Sequence, residues 1–174
     1  MQRPTSVTVF GILNIGFAVV GFVSLLVTIL MFAMVRDTTN NPVLQLIHNN
    51  PGYAAWMNLS LVLGFLARAV LLTAGIGLLK LKPWARTLSI VYGIYEIVMV
   101  LVGTTVNYVF LMQPMLEQAH GKQGPEAAAA IGGAIGGTVG GCFGIIYPVL
   151  LLIFMMRANV VAAFRPPATA VGQP

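Results

Sequence analysis

The chain has one cysteine, four acidic residues, two histidines and two tryptophans in 174 positions. The lone Cys142 has no partner for an intrachain disulfide and no second thiolate for a metal site. Asp37, Glu96, Glu117 and Glu126 form no acidic pair on one helix, and HExxH, GxSxG and the phosphate-binding glycine loop are absent. His48 and His120 stand far apart without acidic or cysteine companions at ligand spacing. The sequence is therefore read as non-enzymatic, with no metal and no cofactor. An intramembrane enzyme would have to rely on Arg68, Glu96 and the nearby Tyr92 and Tyr95, which trails the other readings.

Charge is scarce too. Charged residues make up 7% of the chain and hydrophobic residues 58%, where soluble domains are about one-quarter charged. Mean hydropathy is +0.91. A soluble fold of this length cannot hide so much apolar surface. The net charge of +5 raises the question of nucleic acid, but the cations are too few and too closely confined to the ends of apolar runs. Anionic lipid heads account for them better.

Four runs can each cross the roughly 30 Å hydrocarbon core: 7–35, 55–79, 84–112 and 128–156. Unpaired backbone groups are costly in lipid, so each run is expected to be a helix. The expected fold is one all-α polytopic membrane four-helix bundle. The first run exceeds a signal-peptide core and is read as retained. Arg3, Lys80, Lys82, Arg86, Arg157 and Arg165 fall at the amino end, the second turn and the carboxyl tail. By the positive-inside rule those three segments face the cytoplasm. Lys80, Lys82 and Arg86 anchor the "KLKPWAR" hairpin, Pro83 is read as stopping the helix, and Trp84 and Trp56 mark the two interface belts.

Between the first two runs, Asn41 and Pro42 suit an N-cap and first helical position, giving a short outer interfacial helix over 42–48 that stops at Asn49–Gly52. "ANVVAAF" can extend the last helix along the inner surface, and 165–174 reads as a disordered tail. "VFGILNI" (Val9–Ile15) aligns with "VYGIYEI" (Val91–Ile97) at an offset of 82 residues, and Val20-Gly21 then falls over Val102-Gly103. This suggests two tandem two-helix repeats about an axis along the membrane normal.

The polar residues inside the runs are the candidate site. Arg68 lies twelve residues before Lys80 and Glu96 twelve after Trp84, so both are about 18 Å from the turn at helical rise. A lone charge at the bilayer centre costs roughly 2.5–3.5 kcal/mol even on the lenient scale, so the two are expected to pair, with a bidentate geometry open to them. Asn14, at Glu96's place in the offset, is expected to join the same layer. Two roles stay open for the pair: a structural clamp fixing helix register, or an ion, proton or substrate relay.

The fourth run carries "GGAIGGTVGGCFG", with Gly132, Gly136, Gly140 and Gly144 on one face and Gly133, Gly137 and Gly141 beside it. Small residues let helices approach where lipid gives no hydrophobic drive, so the ladder reads as a packing seam, within the chain or in a homo-oligomer. Pro148 is expected to kink this helix.

"GIGLLKLKPWARTLSIVYGIYEI" (Gly75–Ile97) resembles the Gly-x-Gly-Leu-Leu, basic, Trp-Ala-Arg turn of small bacterial four-span membrane proteins of unassigned activity. The resemblance implies a bacterial inner membrane and carries over no functional residue. The expected function is that of a multi-pass membrane protein working by helix association as a scaffold or accessory subunit, with lipid and other membrane subunits as partners. A small oligomeric transporter or channel is the alternative.

Overall fold

The computed structural model describes residues 5–34, 48–119, 132, 136 and 144–164. Every described element is helical, and the fold is an all-α bundle: α1 (Thr5–Met34), α2 (Pro51–Leu79), α3 (Pro83–Asn107), α4 (Gln113–Ala119), α5 (Gly144–Met155) and α6 (Ala158–Ala163). A π-helical segment, Tyr108–Met112, joins α3 to α4 without a break. Three helices, Thr5–Met34, Pro51–Leu79 and Pro83–Met112, are long and apolar enough to cross a membrane. α5 is a shorter apolar helix in the fourth run, and most of that run's amino-terminal half lies outside the described residues, as do 42–47 of the expected outer helix and the tail from 165.

The apolar surface is turned outward. Only 6% of the most apolar stretch of α1 is buried within the protein, and Val20 and Met31 are 64% and 62% exposed. Such a surface suits an apolar solvent, and the three long apolar helices are compatible with a membrane protein.

Local signals explain the element ends. α2 starts four residues earlier than the sequence reading, because the Asn50 side chain accepts a hydrogen bond from the Tyr53 amide at 3.1 Å and Pro51 occupies the first turn. Helical backbone at His48 and Asn49 ends at Asn50, where the sequence reading has its stop, and Asn50 and Pro51 then open α2. At the other end, the Lys82 amide donates to the Gly77 carbonyl and the Leu81 amide to the Leu78 carbonyl, both at 3.0 Å. This closure forms with Leu81 at φ 51, in the left-handed region usually given to glycine. Pro83 therefore does not stop α2; it is the first residue of α3, where its missing N–H costs nothing.

The helices close into a ring. α1 meets α2 backbone to backbone: a methyl built on Gly75 would stand 2.9 Å from the Gly11 carbonyl oxygen, and one on Gly11 would stand 2.7 Å from Leu79 Cδ2. α3 meets α5 in the same way, a methyl on Gly93 lying 2.9 Å from Leu152 Cγ and 3.4 Å from the Pro148 carbonyl oxygen. α5 returns to α1 through Phe10–Phe154 and Phe17–Tyr147, with ring centroids 4.9 and 4.3 Å apart. The last helix does not simply continue. It breaks at Arg157, whose ψ is 138°, and α6 turns so that Val160 and Phe164 join Val7, Phe10 and Ala85 in the core.

Candidate functional site, a charged pair at mid-depth

Arg68 stands eleven residues before the end of α2 and Glu96 thirteen after the start of α3, about 17 and 20 Å from the turn. Their side chains meet: Arg68 Nη1 is 3.7 Å from Glu96 Oε1. The contact is a single one rather than a bidentate fork, because the same Nη1 donates to the Tyr92 hydroxyl at 3.2 Å, one turn before Glu96. Side-chain exposures of 29% for Arg68 and 21% for Glu96 show that neither is sealed off.

A third helix takes part. The Arg68 side chain lies across Gly21 of α1 so closely that a methyl built there would overlap Nε and Cδ. The guanidinium arm thus touches α1 while its head engages Tyr92 and Glu96 on α3. The sequence reading set Gly21 over Gly103 in the offset of 82 residues, but gave no reason for a glycine there. Tyr95, beside Glu96, points its hydroxyl back to the Leu63 carbonyl at 3.5 Å.

Asn14 does not join the pair. It is fully buried against Gly75 and accepts a hydrogen bond at Oδ1 from the Tyr147 hydroxyl of α5. Asn14 and the Arg68 contact at Gly21 are seven residues apart on α1, about 10 Å. The room for the guanidinium is at Gly21, so the polar group of α1 is left to a different partner. Asn14 Nδ2 has no hydrogen-bond partner among the described residues. Sequence reasoning missed Tyr147, since a tyrosine beside a proline in an apolar run gives no signal of what it faces.

The expected anchors divide. Lys80, Lys82 and Trp84 are exposed at the α2–α3 turn, and Trp56 is half-buried with its ring near Gly103. Arg86 does more than anchor: its Nε donates to the Met155 carbonyl at 2.9 Å, capping the end of α5 with a cation. Near the other end of the bundle, Tyr53 donates to Asn107 Oδ1 at 3.0 Å, joining α2 to α3. Of the glycine ladder, Gly132 and Gly136 are helical and exposed, with no described atom within 4 Å of a methyl built on them, and Gly144 comes 3.6 Å from Val100 by the same measure. Gly133, Gly137, Gly140 and Gly141 lie outside the described residues.

Compared with protein-family models, curated proteins and solved structures, the chain matches none of them.

Proposed function

We propose that this is a non-enzymatic multi-pass protein of the cytoplasmic membrane that acts by helix association, as a scaffold or accessory subunit, with both termini and the KLKPWAR turn on the cytoplasmic side. One observation carries the reading: the only ionic pair among the described residues ties three helices together, with Arg68 crossing Gly21 of α1 to reach Tyr92 and Glu96 of α3. A charge used this way fixes register in a small bundle, where the alternative is an uncompensated ion in lipid. Gly132 and Gly136, with no described atom within 4 Å of a methyl built on either, suit close approach by another helix, of a second copy or of a different subunit. The test is the mass of the complex purified in mild detergent, with its copurifying proteins. A larger assembly containing stoichiometric membrane partners is expected. A strictly monomeric chain without partners overturns the reading.

A small oligomeric transporter is the second reading, favoured by the partial exposure of both members of the pair. Proteoliposome flux that is abolished by Glu96→Gln while the bundle stays folded would move the assignment to this class.

A further inference from the structure

The α2–α3 turn and the end of α5 gather cations that have no acidic partner among the described residues. Lys80, Lys82 and Arg157 are exposed, and Arg86 is half-buried. The four acids of the chain stand at Asp37, Glu96, Glu117 and Glu126; the nearest in sequence is Glu96, ten residues after Arg86, and it already faces Arg68. Two of the cations are held rather than loose. Arg86 is fixed through Nε to the Met155 carbonyl, which leaves its two terminal nitrogens without an acceptor among the described residues. Arg157, two positions beyond Met155, lays its guanidinium 4.3 Å from the Phe154 ring centroid, and that ring packs on Phe10. The fold therefore sets two guanidiniums beside the last turn of one helix, with Lys82 four residues before Arg86. Like charges brought together repel, and a held group of donors around them suits a phosphate.

The surroundings select the kind of phosphate. Trp84 is 48% and Met156 59% exposed, and each stands beside these cations in the sequence. A headgroup phosphate with acyl chains satisfies both halves, whereas inorganic phosphate satisfies only the first.

We infer that Arg86, Arg157 and Lys82 form a binding site for the headgroup of an anionic phospholipid at the end of α5. The inference rests on the reading of the chain as a membrane protein. Basic pockets between membrane helices on the cytoplasmic side hold anionic headgroups by this chemistry.

The full chain, purified in mild detergent, is titrated with dioctanoyl phosphatidylglycerol, dioctanoyl phosphatidylcholine and inorganic phosphate, and bound ligand is read by native mass spectrometry. Saturable binding of phosphatidylglycerol is expected, at least about tenfold tighter than phosphatidylcholine. Lys82→Gln and Arg157→Gln should each weaken it about fivefold, at roughly 1 kcal/mol per cation and 1.4 kcal/mol per factor of ten. Arg157→Lys should restore much of the loss. Neither side chain supplies a cap hydrogen bond, and unchanged thermal unfolding of the variants shows that binding, not folding, was altered. Equal retention of the two lipids overturns the site, and phosphate that competes with phosphatidylglycerol at equal concentration overturns its assignment to lipid. Alkaline carbonate washing of membranes separates the two levels. A chain released by the wash defeats the membrane reading, while a retained chain without phosphatidylglycerol preference defeats only the site.

Discussion

Arg68 lies across Gly21: the aliphatic arm and Nε of a residue on α2 occupy the space where any other side chain on α1 would begin. Adding a methyl at Gly21 forces this arm to move, and its head is held by Tyr92 and Glu96. Gly21→Ala should destabilise the bundle by about 1 kcal/mol, and Gly21→Val by about 1–3 kcal/mol, as overpacking does. Unfolding in SDS-containing micelles gives the comparison. Gly16, with no described atom within 4 Å of a methyl built there, is the matched control and should tolerate alanine.

Neutralising one member of the ion pair leaves its partner charged in the apolar layer. Arg68→Gln or Glu96→Gln alone should cost about 2.5–3.5 kcal/mol, the scale set for a lone charge at mid-bilayer. The double variant should cost no more than either single, which puts the coupling energy in a double-mutant cycle at about 2.5–3.5 kcal/mol or more. A double variant as unstable as the sum of the singles means the two charges do not act on each other. Tyr92→Phe, which removes only the acceptor for Arg68 Nη1, should cost about 1 kcal/mol.

The buried amide of Asn14 supplies an independent case. Tyr147→Phe removes its one hydrogen bond among the described residues and leaves the whole amide unpaired in the core, for a loss of about 1–3 kcal/mol. Replacing both partners with apolar groups of similar shape, Asn14→Leu with Tyr147→Phe, should be milder than the single change. If Tyr147→Phe alone proves neutral by SDS unfolding, the hydrogen bond contributes nothing net to folding.

How far the sequence could be read follows from what each feature depends on. Depth along a helix is set by counting residues at 1.5 Å each, so Arg68 and Glu96 could be set level before any coordinates. The run lengths gave the three long helices for the same reason. Azimuth is not counted this way. Which helix faces Asn14, and which glycine Arg68 needs, depend on how helices cross, and an apolar run with small residues on several faces leaves that open. Element ends were misplaced where one proline served two roles: Pro51 and Pro83 read as breaks, yet each begins a helix because the first helical position needs no N–H.

Arg86 links the two ends of the chain's second half. Its Nε bonds the last carbonyl of α5, while the Met156 and Arg157 amides serve the carbonyls of Leu152 and Phe154. Arg86→Leu should destabilise by about 1.5–3 kcal/mol, the value of a hydrogen bond to a charged group, while Arg86→Lys keeps the dipole interaction and should lose less. Hydrogen exchange followed by mass spectrometry should find the loss concentrated in amides of α5 and α6 rather than α2. Uniform loosening of all helices would speak against a local cap.

The two glycine contacts make the tandem repeat testable. Gly11 meets Leu79 and the carbonyl of Gly75, and Gly93 meets Leu152 and the carbonyl of Pro148. The leucine stands four residues after the carbonyl in both cases. Buried Val7, Phe10 and Gly11 fall on buried Ser89, Tyr92 and Gly93 at the offset of 82. The two contacts share residue type and spacing, although the leucines stand 73 residues apart where the glycines stand 82. Gly11→Ala and Gly93→Ala should then destabilise to similar extents, each by about 1–3 kcal/mol, since each methyl meets a leucine side chain at under 3 Å with backbone close behind. Trimming the leucine should relieve both: Gly11→Ala with Leu79→Ala, and Gly93→Ala with Leu152→Ala, should each be less unstable than the sum of their parts. Relief in one hairpin and not the other would mean that the two contacts only look alike.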